Sequence, residues 1–138
     1  MTDALTLHVA VVAVLSELRS ITWYPDGEVP KAPPADTAGR VYPYGVLYPG
    51  VGHRPAEAVA VDAQPGPELA WQTQVTVAAG TRTWCMQAAQ LTRARLDRCE
   101  VAPGVVLVED PTGLLVQKDP DVAPLRWFVP LYFRALTP

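Results

Sequence analysis

From Thr2 to Ser20 apolar residues recur at a helical period. Leu7, Val11, Val14, Leu15 and Leu18 fall on one stripe, with Thr2 or Asp3 in place to cap the first turn. Leu5, Val9 and Val12 widen the stripe until Thr6, Ala10, Ala13, Glu17 and their neighbours make the whole small or polar side. A helix apolar around so much of its girth is buried on more than one side, either between a sheet and a loop or against a second chain. The period then changes to two. In Arg40–Gly50 (RVYPYGVLYPG), Tyr42, Tyr44, Val46 and Tyr48 share one face and Val41, Pro43, Gly45, Leu47 and Pro49 the other. Pro43 inside this run predicts a sheet edge or a bulge. Ala70–Ala79 alternates with Trp71, Thr73, Val75 and Val77 on a buried face and Gln72, Gln74 and Thr76 on a polar one. A second helix, capped by Thr81 or Thr83 and running to about Arg98, sets Trp84, Cys85, Ala88, Ala89, Leu91, Thr92 and Leu96 on an apolar arc. Val105–Glu109 and Leu114–Lys118 flank Asp110-Pro111-Thr112-Gly113, which suits a type I turn and predicts a hairpin. The last strand, Leu125–Leu136, has Leu125, Trp127, Val129, Leu131, Phe133 and Ala135 on one face. Arg126, Phe128, Pro130, Tyr132, Arg134 and Leu136 lie on the other.

Proline decides what lies between these elements. Nine of the 15 prolines fall between Pro25 and Pro67, and none falls in Met1–Tyr24 or Glu68–Ala102. Residues 25–40 and 51–68 are therefore read as long Pro-rich loops. The first is an extended loop without regular structure, and the second holds a possible short strand at Ala58–Asp62 before a breaker cluster at Gln64–Pro67. Strand runs joined by turns, with only two helices, predict an α+β fold: a mainly antiparallel sheet with two helices packed against it, in a single domain spanning 1–138.

Composition narrows the function more than it identifies one. Hydrophobic residues are 49% of the 138, too many for a disordered chain. Charged residues are 18%, below the usual quarter or so, which points to surface covered by partners. A net charge of -3 with scattered arginines leaves no basic footprint for duplex DNA. Ala4–Leu15 is too short to span a bilayer, and Asp3 stands where a secretory signal would be basic, so the expectation is a soluble protein made in the cytoplasm, with no membrane partner. Cys85 and Cys99, near opposite ends of one predicted helix, are expected as reduced thiols; with only His8 and His53 beside them they make no familiar metal spacing.

Candidate chemistry is sparse. Cys85 at a helix N-terminus is the one residue with a route to a lowered thiol pKa, with His53 available as a base. The pairs Glu109/Asp110 and Asp119/Asp121 fit turns better than a calcium loop. Gly50-Val51-Gly52 and Ala79-Gly80-Thr81 lack the glycines and lysine of a phosphate cradle. The expectation is no catalytic residue, cofactor or metal.

Four stretches carry a resemblance: the apolar helix LTLHVAVVAVLSELRS, the Pro/Tyr strand RVYPYGVLYPG, the strand–helix unit WQTQVTVAAGTRTWCMQAAQLTRARL, and the terminal strand RWFVPLYFRALT. In this order, at this chain length, they resemble the tail terminator (tail completion) proteins of siphovirus-type long-tailed bacteriophages. The resemblance implies a non-enzymatic virion protein at the head–tail interface. It would be a homo-oligomer, a hexameric ring capping the head-proximal end of the tail tube and stopping its polymerisation. One face of the ring would meet the tail tube protein and the other a head-closure or neck protein, and DNA would pass through the lumen without specific binding. Trp23, Tyr44, Tyr48, Phe128 and Tyr132 are the residues expected at subunit or partner interfaces. The alternatives are another neck component, a head-closure or adaptor protein, and a small-molecule-binding α+β domain.

Overall fold

The structure is a computed structural model and describes residues 2–53, 69–110 and 114–137. The possible strand at Ala58–Asp62, the Gln64–Pro67 cluster and the turn at 111–113 lie outside the described residues. The elements are α1 (Ala4–Leu15), β1 (Thr22–Tyr24), β2 (Tyr44–Pro49), β3 (Ala70–Ala79), α2 (Arg82–Leu96), β4 (Glu100–Ala102), β5 (Val105–Val106), β6 (Val108–Glu109), β7 (Gln117–Asp119) and β8 (Arg126–Leu136). The main sheet runs β1-β2-β3-β8-β6, with β7 also on β8. Only the β1–β2 pair is parallel, so the fold is the expected α+β with a mostly antiparallel sheet.

The ladder between β3 and β8 is the spine, pairing Ala70 with Leu136 through to Ala79 with Trp127. Its alternation sends Trp71, Val75, Val77, Val129, Leu131 and Phe133 to one face, where Leu7, Val11 and Leu15 of α1 and Cys85, Ala88, Ala89 and Leu96 of α2 close the core. Trp71 is fully buried and its indole N–H donates to the Gly50 carbonyl (2.8 Å), which satisfies the ring's one polar atom.

Several boundaries differ from expectation. The first helix ends at Leu15 rather than Ser20, because the Ser16 hydroxyl donates back to the Val12 carbonyl (2.6 Å) and the next turn unwinds. Asp3, not Thr2, caps it, accepting from the Thr6 N–H (2.8 Å). Its expected burial on several sides is absent within the chain: Leu5 stays 69% exposed and Val9 58%. Thr81 caps α2, accepting from the Trp84 N–H (3.1 Å), and the helix stops at Leu96, with Leu91 exposed rather than on the buried arc. β2 begins at Tyr44, one residue past Pro43, and lies between β1 and β3 rather than at an edge. The proline that suggested an edge simply precedes the strand.

The turn of the expected hairpin lies outside the described residues, and the strands on either side of it do not pair with each other among those described. β6 and β7 both pair with β8, at Val108↔Arg134 and Gln117↔Phe128, so they occupy successive stretches of the same β8 edge. Pro130 supplies the reason. The Tyr132 carbonyl accepts from the Asp110 N–H (2.8 Å), so it faces this edge, and Pro130, two residues earlier, faces the same way. Proline has no N–H to offer a neighbour there, and no described residue pairs with Pro130 on that edge.

The first Pro-rich loop holds more order than its composition suggested. Ala35 and Val41 form an antiparallel bridge, and the Asp36 carboxylate closes the tip by accepting from the N–H groups of Ala38 (3.0 Å) and Arg40 (2.8 Å). Gly39 takes the positive φ the tip requires (81°). This finger docks on the start of α2, with Tyr42 stacked on Trp84 at 6.0 Å and the Arg40 guanidinium 5.3 Å from the same ring. Val41 is fully buried, and its carbonyl accepts from the Gly80 N–H (2.8 Å).

The Ala79-Gly80-Thr81 turn therefore needs glycine for packing. A Cβ on Gly80 would stand 2.5 Å from the Val41 nitrogen, a backbone atom that cannot swing aside. Gly80→Ala is predicted to destabilise the fold by about 1–3 kcal/mol, the usual range for forced overpacking. Urea unfolding checks this, with a lower midpoint expected at an unchanged slope.

Candidate functional site

The face of the sheet turned away from both helices is the candidate site, and the strand register assigns its members. Three rows cross β2, β3 and β8: Tyr44–Ala78–Phe128, Val46–Thr76–Pro130 and Tyr48–Gln74–Tyr132. None of these residues is charged. Beyond them come Gln72 with Arg134, then Ala70 with Leu136. Outward residues of a water-facing sheet usually include charges, so nine uncharged positions in a block are a surface suited to being covered.

The block has two halves. Tyr44, Val46 and Ala78 are buried with Val41 in a second cluster, joined by Tyr24, Val29 and Phe128, so the Pro-rich arm already covers that half. Arg126 holds it down. Its guanidinium donates to the Tyr44 hydroxyl (3.2 Å) and to the Lys31 carbonyl (3.3 Å), linking sheet and arm. Tyr24 meets Tyr44 edge-on at 5.7 Å. Burial pushes the Tyr44 phenol above its ordinary pKa, with the Arg126 hydrogen bond pulling the other way, so the group stays a neutral hydroxyl. The other half is open: Tyr48 is 48% exposed, Tyr132 36% and Leu136 57%. A shallow cleft of about 210 Å³ runs between Tyr48, Gln74 and Tyr132.

Four of the five sequence-predicted interface residues, Tyr44, Tyr48, Phe128 and Tyr132, thus meet on one face. They divide between its covered and open halves. Trp23 does not join them. It packs on the helix-side core over Gly45, where a Cβ would come within 2.2 Å of its ring. Its indole N–H points to the Leu18 carbonyl (3.4 Å). Sequence reasoning marked the Leu5/Val9 side of α1 as apolar surface in need of cover but did not single out Arg126. The signal for Arg126 was available, as an arginine beside Phe128 on the outer face of β8.

The remaining candidates resolve into structural roles. Cys85 is fully buried against β3, its thiol directed at the Val77 carbonyl (3.5 Å), and burial pushes its pKa up to about 12. The helix N-terminus does not lower it, because desolvation of a thiolate in the core dominates, as its place on the apolar arc led one to expect. His53 bridges Ala70 at the far end of β3, roughly 23 Å of strand from Val77, so it forms no pair with Cys85. Glu109 pairs with Arg93 (2.7 Å), and Asp119 closes a turn by accepting from the Asp121 N–H (3.2 Å). A Cβ at Gly50 would stand 2.7 Å from the Gln72 carbonyl, so that glycine serves backbone contact with β3. A concavity of about 500 Å³ opens at the sheet end among His53, Gln72, Val106, Arg134 and Leu136. Among the described residues no three His, Cys, Asp or Glu side chains gather, and no helix is long and apolar enough to cross a membrane.

Two outcomes are expected. In the folded protein a thiol reagent labels Cys99, which is partly exposed, while Cys85 reacts only after denaturant is added. The unfolded thiol loses its proton near 9 and the folded one near 12, so Cys85's contribution to stability falls as pH rises through that window. Reaction of both thiols at equal rates contradicts the burial. Arg126→Leu removes the hydrogen bonds to Tyr44 and Lys31 and is predicted to make trypsin cut after Lys31 about tenfold faster, the factor given by roughly 1.4 kcal/mol of lost interaction. An unchanged cutting rate shows that the arm is held elsewhere.

No protein-family model matches the chain, and no curated protein matches it.

Proposed function

We propose that the chain is a non-enzymatic structural protein of a phage virion, of the tail-terminator kind. Copies close into a hexameric ring on the head-proximal end of the tail tube. The ring stops tube growth, offers its other face to a head-closure protein and leaves a lumen for DNA. One observation carries this reading. Two largely apolar surfaces lie on opposite sides of the same subunit, the open half of the outer sheet face, where Arg134 is the one charge among the paired positions from Tyr48–Gln74–Tyr132 to Leu136, and the Leu5/Val9 side of α1. A ring that closes needs two different contact surfaces per subunit, and these two are placed to provide them. The mild negative charge suits a channel that passes DNA without gripping its phosphates.

Another neck protein, such as a head-closure or adaptor ring, would use the same two surfaces and differ in its neighbours. The small-molecule reading has one observation in its favour, the cleft of about 500 Å³ at the sheet end, which carries His53, Gln72 and Arg134.

Mass photometry and negative-stain microscopy of the purified chain test the ring. Six copies of a 14.9 kDa chain give a particle of about 90 kDa with a central hole. Mixing these particles with polymerising tail tube protein is expected to yield short tubes with the particle at one end. A monomer at every concentration, alone and with tube protein, contradicts the proposal. Rings that bind the portal side and leave tubes uncapped assign it to the neck instead.

A further inference from the structure

The two largely apolar surfaces match each other. α1 contains no charged residue over its 12 positions, yet Leu5, Thr6, Val9 and Ala13 all face solvent. A surface helix normally carries its charges on that side. Its length is about 18 Å at 1.5 Å per residue. The open stretch of the sheet face, from Pro130 to Leu136 along β8, is about 20 Å at 3.3 Å per residue. Charge agrees as well. Arg134 stands exposed in the open half and holds no ion pair among the described residues. Asp3 caps α1 at its N-terminal end and holds no ion pair among the described residues, whereas Glu17 beyond the last turn is already paired with Arg95, so the orientation that brings Asp3 to Arg134 is the matched one. The other helix does not match: α2 carries Arg82, Arg93 and Arg95 and no acid, and would set positive charge against Arg134.

We infer that α1 of one copy lies across the open outer sheet face of the next, with Leu5 and Val9 against Tyr48, Gln74 and Tyr132. The contact turns each two-layer subunit into a helix–sheet–helix sandwich completed by its neighbour. It is heterologous, because the donated helix and the receiving sheet face are different surfaces, and it leaves the donor's sheet face and the receiver's helix free for the next copies. The inference rests on the proposed ring and names the surfaces that build it.

Val9→Glu and Tyr132→Glu test it, both at solvent-exposed positions and checked by circular dichroism for an unchanged fold. Each variant alone is expected to stay monomeric at concentrations where the wild-type chain assembles. Mixed together they are expected to form a 1:1 heterodimer and nothing larger, since only the intact helix of the Tyr132→Glu copy and the intact sheet face of the Val9→Glu copy can meet. Arg134→Glu is expected to weaken wild-type assembly at least tenfold. If both glutamate variants assemble like the wild-type chain, or if the two monomeric variants fail to pair on mixing, the inference is overturned while a ring built on other surfaces stands. A wild-type chain that never self-associates overturns both.

Discussion

The ladder between β3 and β8 determines almost everything else in this molecule. It runs in unbroken register from Ala70↔Leu136 to Ala79↔Trp127, and its pleat sorts side chains into a core face and an outer face. A slip of one residue would put Gln72, Gln74 and Tyr132 under the helices and turn Trp71, Val75 and Phe133 out to water, so the hydrophobic alternation of both strands fixes the pairing. Pro130 sits mid-strand without breaking the ladder because its nitrogen faces the other edge, between the stretches of β8 that pair with β6 and β7. The proline thus specifies where the neighbouring strand must be interrupted.

The first Pro-rich segment is built on that spine rather than hanging from it. Asp36 closes the finger tip, Val41 crosses Gly80 in backbone contact, and Arg126 ties Lys31 to Tyr44. The arm covers Tyr44 and Val46 and stops short of Tyr48 and Tyr132. A stretch that composition marks as loop therefore sets the border of the exposed surface. The Asp36 carboxylate is held below its ordinary pKa by the Arg40 backbone N–H first, so the tip's closure is complete at neutral pH and is lost as pH falls through that lowered value.

The sequence made legible the features that rest on periodicity. β3, both helices and β8 follow from alternation or from three-and-four spacing, and so does the gathering of Tyr44, Tyr48, Phe128 and Tyr132 on one side. Features that rest on contacts between distant segments were not legible. β1 is only three residues long and exists because it pairs with β2, and Trp23 turns to the helix side because Gly45 leaves room for its ring. The turn at Asp110–Gly113 has the chemistry of a hairpin, but β8 takes both flanking strands, and a long partner with a free edge outcompetes a pair of short ones. Cys85 illustrates the same limit for chemistry. Its place on the apolar arc pointed to a buried thiol, but that burial, rather than the helix N-terminus, sets its pKa only once β3 is seen to cover it.

The proposed account of function comes down to one subunit with two mutually complementary, largely apolar faces on opposite sides of the β3–β8 spine. Hydroxyl-radical footprinting of the chain over a range of concentrations reads both faces at once, residue by residue. The account predicts that Leu5 and Val9 on α1 lose reactivity together with Tyr48 and Tyr132 on the sheet as the chain assembles, while Met86 and Leu91 on α2 keep theirs. Assembly that protects Met86 and Leu91 instead, or that protects only one of the two predicted faces, would contradict it.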